Sequence, residues 1–469
     1  MAKQDSLPFF ARSNPRLQNA HPPRPAFEEA VRAGIHGDRA RWRPLLPAVI
    51  AEARIELGTE PGPGLGGGAL DPARLAAARL AVLDELDPDR RTPEGRAVRL
   101  LPGPYFGFVG GVPRTGADPR HRPLYVTAVE AFAACPWQTF VERLLGIEPT
   151  PDPLEALPGL EPLLVGNLVH AVLDEIVRLA RGDDPAAPPG WEGRAPVAVP
   201  WPEPAVLAGI LRAAAERLAC EEGIALRGLA RALAARAEPF LAAARAADWR
   251  DPAALPAVVG TELVGCLEVE DREKRTRALH FKADRVDAAA GASGLVLTDY
   301  KTGKPFSPAR SPEARRRAFL RRVQEGRSLQ AVAYQLGGGP LAVGRYLFLR
   351  PELDEPAVEV RPEDAPAVAG FGAAVAAVLA GRDGGAFFPR LVDPAGRQEP
   401  SRCKLCRVAE ACLRGDSGAR SRLLDYAEAA AVASSAREPE AAAFAGVWLL
   451  LAPAPAARDE AADGVEDGQ

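Results

Sequence analysis

An Asp-x-Lys pair, Asp299 and Lys301, closes an apolar run in the stretch LTDYKTGKPF, residues 297–306. The run reads as a buried strand, and strand alternation puts both side chains on one face. Lys stands at only six positions, 3, 274, 282, 301, 304 and 404, and positive charge is otherwise Arg. Keeping Lys at 301 points to chemistry that a planar guanidinium does not do. Asp284, near the end of the β-like segment TRALHFKADRVDA, can bring a second carboxylate to the pair. Two such carboxylates repel unless a divalent cation lies between them, and hard cations such as Mg²⁺ or Mn²⁺ take oxygen ligands. A cation so held polarises a phosphate oxygen and activates water, with the ammonium steadying the developing charge. The chemistry outlined is metal-dependent phosphodiester hydrolysis. An isolated Asp-x-Lys at a strand end is more often a solvent-exposed pair, so the supporting residues matter.

Four residues extend the constellation. His170, preceded by GNLV on a helix, can supply a nitrogen ligand, which makes His170, Asp284 and Asp299 the candidate metal set. Glu262, in GTELVG, is an acid inside an apolar strand, where burial without a partner is costly. Gln330 and Tyr334 lie four apart and share a helical face. With Asp284, Asp299 and Lys301, the residues Glu262, Gln330 and Tyr334 make up the candidate catalytic set.

The second group is sulfur. CKLCRVAEAC spaces Cys403, Cys406 and Cys412 as C-x2-C-x5-C, a metal-binding pattern where thiols stay reduced. Cys135, in AACPWQTF, is the candidate fourth ligand, and Cys220 and Cys266 read as buried small apolar residues. Four thiolates suit zinc or an iron–sulfur cluster, and a local zinc knuckle without Cys135 is the alternative. With Cys135 included, the clasp closes a loop of about 270 residues, whose length-dependent closure entropy is about 5 kcal/mol.

The elements that must position these groups follow from periodicity. The segment LYVTAVEAFAACPWQTFVERLLGI reads as one amphipathic helix, and LLVGNLVHAVLDEIVRLARG as a second. After a Pro-rich break near 183–204, an Ala/Leu/Arg-rich helical region runs to about Trp249. Three β-like segments follow, VVGTELVGCLEVE, TRALHFKADRVDA and GLVLTDYKTG, a meander. An Arg-rich helix, a helix containing SLQAVAYQL, a strand AVGRYLFLR and the cysteine loop complete the pattern, an α/β core with helices on a mixed sheet. The expected organisation is a mostly helical and linker-rich region over 1–120, with linkers such as GTEPGPGLGGGALD. A core domain over 121–425 carries a helical insertion at about 183–258, and 426–469 is an Ala-rich acidic tail.

The net charge of −4 gives no global attraction to a polyanion, so such binding needs a local patch. RSPEARRRAFLRRVQEGR, 310–327, holds seven Arg against two Glu, and Ser311-Pro312 is a helix start. The opening MAKQDSLPFFARSNPR lacks the apolar core of a secretion signal. AAAFAGVWLLLAPAPAA is broken by Pro453 and Pro455 and falls short of the roughly 20 residues a membrane helix needs. The chain is expected to be cytoplasmic, without a membrane partner.

Taken together, these residues resemble the PD-(D/E)XK nucleases of the RecB/AddB type over roughly 121–425. CPWQTFVERLLGI looks like that family's first cysteine segment, GNLVHAVLDEIV its histidine helix and FKADRVD its first acidic motif. LTDYKTGK looks like the second acidic motif, QAVAYQL the Gln/Tyr motif and CKLCRVAEAC the closing cysteines. The resemblance implies a PD-(D/E)XK nuclease-like core, Mg²⁺ or Mn²⁺ at His170, Asp284 and Asp299, a catalytic Lys301, and a [4Fe–4S] cluster on Cys135, Cys403, Cys406 and Cys412. It also implies a DNA exonuclease in double-strand-break repair and recombination. Where many relatives carry Gly before the first acidic Asp, this chain has Phe281, Lys282 and Ala283. No G-x-x-x-x-G-K-[ST] loop occurs, so a helicase would have to be a partner chain. The rival readings are a non-catalytic DNA-binding scaffold and a nuclease of CRISPR spacer acquisition.

Overall fold

The computed structural model describes residues 26–35, 38–57, 72–85, 103–112, 118–148, 162–182, 189–223, 226–271, 274–289, 294–309, 311–393, 398–414, 417–433 and 439–451. These form two compact units, divided at Phe108/Val109, with residues 415–426 grouped with the N-terminal one. The N-terminal expectation ended instead at residue 120. The linker at 58–71, Arg310 and the stretch 452–469 lie outside the described residues.

The first unit includes the helices α1 (Ala26–Ile35), α2 (Leu46–Leu57) and α3 (Pro72–Glu85). The carboxylate of Glu52, on α2, accepts hydrogen bonds from the backbone N–H groups of Ala26 and Phe27 and so satisfies the start of α1. Arg422 donates to the carbonyl of Gly34 at 2.9 Å. No candidate catalytic residue falls in this unit.

The second unit is built on a seven-stranded sheet. Its strands are β1 (Leu124–Tyr125), β2 (Val197–Ala198), β3 (Ala257–Glu270), β4 (Thr276–Ala288), β5 (Leu295–Lys301), β6 (Val343–Phe348) and β7 (Ala357–Val360). They run in the order β2-β3-β4-β5-β6-β7, with β1 beside β4. The meander expected from the sequence is β3-β4-β5, antiparallel throughout, whereas β5 and β6 pair in parallel and β6 and β7 antiparallel. The parallel step needs a crossover. It is supplied by α8 (Pro312–Gln324), capped by Ser311 as its sequence suggests, and by α9 (Gln330–Gly337).

Helices cover both faces. On one, α5 (Pro162–Arg181), α6 (Pro204–Glu221) and α7 (Arg227–Asp248) share a core with Val258, Tyr300, Leu347 and Leu349. The buried stripe of α5 is Leu164, Val165, Leu168, Val169, Val172, Leu173, Ile176 and Val177, the 3–4 spacing of a single helical face. Along β6 the alternate residues Tyr346 and Phe348 turn the other way, against Phe306, and Phe319 of α8 also packs on Tyr346. Here α9 lies so close that a Cβ on Gly344 would meet the Ala331 carbonyl oxygen at 1.7 Å, which fixes this helix on β6. Helix α10 (Ala365–Asp383) is long and apolar enough to cross a membrane by length and composition, but it packs on β3 and α8 and much of it is buried.

Two local expectations change. The segment read as one helix begins as β1, forms α4 (Val126–Ala134) and breaks at Cys135, whose backbone is extended. The cause is Pro136, which disfavours helical geometry in the residue before it and starts a new short helix, Pro136–Thr139. The stretch read as a tail contains α11 (Pro439–Leu449), whose Phe444 and Val447 are fully buried and whose Phe444 ring contacts Phe388.

Candidate active site

The two long strands bring the acids together. In the β3–β4 hairpin Thr261 pairs with Arg285 and Leu263 with Ala283, so Glu262 falls opposite Asp284. Carboxylates directly opposite each other repel, and Glu262 also has φ 55°, a left-handed backbone that costs a residue with a side chain about 1–2 kcal/mol. Both costs concentrate at one point of the hairpin, and helix α5 delivers His170 to the same point. Ligand atoms of His170, Glu262 and Asp284 lie within 4.8 Å of one another, the one such trio of possible metal ligands among the described residues. They line a cleft of about 590 Å³ together with Asp174, Lys282 and Lys301.

The tautomer of His170 follows from its partners. Nε2 is 3.1 Å from the carbonyl oxygen of Tyr300, which can only accept, so Nε2 carries a proton. Nδ1 then faces Oδ2 of Asp284 at 3.4 Å, an arrangement suited to a shared cation or an ion pair. Burial alone would lower the His170 pKa, but the Asp284 carboxylate, with Asp299 and Glu262, reverses the sign and raises it. Asp284 Oδ2 also accepts from the backbone N–H of Tyr300 at 2.7 Å, tying β4 to β5.

Asp299 takes a different position from the trio. It is buried, and its Oδ2 lies 2.6 Å from Lys301 Nζ. Burial, opposed by Lys301 and reinforced by Asp284, pushes its carboxyl up to about 7. Lys301 is fixed from three sides: by Asp299, by the Gln330 side-chain oxygen, which accepts from Nζ at 3.1 Å, and by the Tyr346 ring, whose centroid is 5.4 Å away.

The structure groups the residues singled out from the sequence differently. Glu262, expected as an acid buried within a strand, is partly exposed, pairs with Lys282 and stands among the possible metal ligands, where Asp299 had been expected. Tyr334, expected among the catalytic residues, is fully buried and donates its hydroxyl to the Lys282 carbonyl at 2.7 Å, which braces β4 against α9. Gln330 likewise holds Lys301 in place. Lys282 was not singled out from the sequence, although its rarity as a Lys was a usable signal. A charged network on the opposite side of the strands has no signature in residue spacing. Buried Arg285 bonds to Asp287 at 3.0 Å, to the Tyr300 hydroxyl at 2.8 Å and to Asp248, the last residue of α7, and Arg345 grips Asp248 at 2.8 and 2.9 Å.

The left-handed Glu262 gives a direct test. Glu262→Gly removes both the backbone cost and the facing charge, so in chelator it should melt no lower than wild type and by up to about 2–4 °C higher. Its Mn²⁺ affinity should fall at least about tenfold. Thermal melts and Mn²⁺ titration check the two halves, and a fall in both quantities would mean the strained backbone is not a cost carried for a cation.

The Cys135 segment and the C-terminal cysteine loop approach each other beyond the end of α4. Cys135 follows α4 directly, Trp137 Nε1 donates to the Ala411 carbonyl at 2.8 Å across 274 residues, and Cys403 Sγ lies 3.9 Å from the Arg390 carbonyl. Burial comes first in raising the thiols of Cys403, Cys406 and Cys412, the last to about 12, and charge at Cys135 adds to all three. Their sulfurs do not gather as tightly as the His170 trio. Cys220 and Cys266, expected to be buried, are exposed: one ends an amphipathic helix and the other points outward from β3.

With this geometry in hand, the comparison with known families is specific: the PD-(D/E)XK nuclease superfamily matches over residues 123–413. The chain belongs to that superfamily. Among curated proteins there is no match.

Proposed function

We propose that this chain is a Mg²⁺- or Mn²⁺-dependent DNA nuclease of the RecB/AddB type, an exonuclease of double-strand-break repair and recombination. The observation that carries the reading is the cleft where His170, Glu262 and Asp284 converge within 4.8 Å beside the Asp299–Lys301 pair. A divalent cation bound by that trio would polarise the scissile phosphate and acidify water. Lys301, charged and held by Asp299, Gln330 and Tyr346, would stabilise negative charge on the phosphate as the bond breaks. The hydrogen bonds of Asp284 and His170 to Tyr300 keep the two sides of the cleft in register.

We assign Cys135, Cys403, Cys406 and Cys412 to a [4Fe–4S] cluster. Four thiolates suit zinc or an iron–sulfur cluster, and the likeness of CPWQTFVERLLGI and CKLCRVAEAC to the RecB/AddB cysteine segments favours the cluster. The buried Nε of Arg390 has no hydrogen-bond partner, and the residue's electrostatic partner is Cys135, so a sulfur acceptor there would satisfy it. With no ATP-binding loop in the sequence, a helicase partner chain would supply unwound DNA. Protein purified without oxygen and given end-labelled linear, circular and single-stranded DNA, with Mg²⁺, Mn²⁺ or chelator, tests the activity. Cleavage confined to DNA with ends supports the exonuclease, and inertness on all three with either metal overturns the nuclease reading.

Binding to DNA draws on α8. Arg315 and Arg316 are already paired, with Glu355 and Asp364, and Arg322 bonds to Ser328 and lies over the Phe306 ring. Arg317 and Arg321 are exposed and one turn apart. The double variant Arg317→Ala/Arg321→Ala should flatten the log–log salt dependence of duplex binding by about one to two units, at about 0.9 per phosphate, and retain cleavage at low salt. An unchanged slope would make this a solvated helix face.

A further inference from the structure

Helix α9 begins without a cap of its own. Its N-cap is Leu329, whose side chain accepts nothing, and Ser328 before it has φ 56° and does not bond the helix start. The first N–H groups of a helix need acceptors, and a carboxylate there also meets the positive end of the helix dipole. The acceptor comes from 199 residues earlier: the half-buried Glu130 of α4 takes a hydrogen bond from the Leu329 N–H. The next residue in α9 is Gln330, whose side-chain oxygen holds Lys301 at 3.1 Å. Glu130 and Lys301 also attract each other. In the other direction, α4 ends at Cys135, five residues beyond Glu130.

We infer that Glu130 is a positioning residue for cleavage: it caps α9 so that Gln330 presents its oxygen to Lys301, and it links the Cys135 segment to the catalytic lysine. Glu130 does not line the cleft that holds the trio of possible metal ligands. The inference deepens the nuclease reading and rests on it. Its prediction is a defect in the chemical step and not in the binding of DNA or metal, because Lys301 acts on the breaking bond.

The test is a double-mutant cycle of Glu130→Gln and Gln330→Ala, read in single-turnover cleavage at saturating DNA and Mn²⁺. Glu130→Gln should lower the rate by about 10- to 100-fold, the range for misplacement of a catalytic group. KM for DNA and Mn²⁺ affinity should stay within twofold of wild type. In the Gln330→Ala background the same change should cost little more, because both act through one contact. Equal losses in the two backgrounds, an effect confined to KM, or no loss at all would overturn the inference. If Glu130→Gln does not fold, Glu130→Asp keeps the charge but withdraws it from Leu329, and the same outcomes decide. A wild-type protein that cuts no DNA would sink the nuclease reading itself, whereas active wild type with an additive Glu130→Gln sinks only the link.

Discussion

Lys301→Ala is expected to lower DNA cleavage at least about 10³-fold at saturating Mg²⁺, with DNA binding retained. The size is the upper part of the range for losing one preorganised electrostatic group, since Lys301 is held from three sides and Lys282, the other lysine of the cleft, is paired with Glu262. The fold should survive. Asp299 would lose its ion-pair partner, but burial has already pushed its carboxyl up to about 7, so it responds by staying protonated at neutral pH instead of remaining a bare buried charge. That sets a sign for pH. A carboxyl with a raised folded pKa favours folding in its protonated form, so Lys301→Ala should lose stability as pH rises through and above 7 relative to wild type. Lys301→Arg should not restore activity, because the planar fork cannot occupy the point between Asp299 and Gln330 that an ammonium fills. Single-turnover rates and melts across pH check both halves. Cleavage by Lys301→Ala near the wild-type rate would remove the lysine from the reaction.

The largest structural effect is expected from Cys135→Ser. Protein made without oxygen should change from brown to colourless, lose its iron, and lose about 5 kcal/mol of stability, on the scale of the closure entropy of the long loop. The two halves of the proposed clasp lie on segments that Trp137 and Ala411 join across 274 residues, so one substitution would release both. Arg390 would feel it next. Burial, partly offset by Cys135, lowers its pKa to about 10, and its guanidinium also bonds to the carbonyls of Ala133 at 3.2 Å and Val447 at 2.9 Å. Iron analysis and denaturant titration measure the outcome. Stoichiometric zinc in colourless, fully active protein would refute the cluster, and metal retained by Cys135→Ser would refute the long-range closure.

The chemistry was more legible in the sequence than the geometry around it. Asp284, Asp299, Lys301 and His170 stood out because a charged residue inside an apolar period needs a reason, and the β3-β4-β5 meander followed from alternation. The break at Cys135 was also written in the sequence, in the Pro that follows it, but the apolar period on either side masked it. What could not be read was anything set by pairing between distant segments. That Glu262 faces Asp284 depends on hairpin register, and that Glu130 caps α9 depends on a contact across 199 residues. Tyr334 shows the limit of spacing arguments: a shared helical face with Gln330 was correctly inferred, but whether that face meets a substrate or a strand is decided only by packing.

The charged network behind the strands bears on how far this nuclease can be pared down. Helices α6 and α7 look like an appendage in the sequence, removable in a minimal enzyme. Yet Asp248, at the end of α7, is the shared counter-ion of Arg285 and Arg345, and Arg285 is the immediate neighbour of Asp284. A trimmed chain would keep two arginines at the back of the sheet with Asp287 alone to balance them, and leaving a buried charge without its partner costs about 3–5 kcal/mol. The appendage is thus a keystone, and grafting this catalytic sheet onto another scaffold means carrying an acid for those arginines along with it.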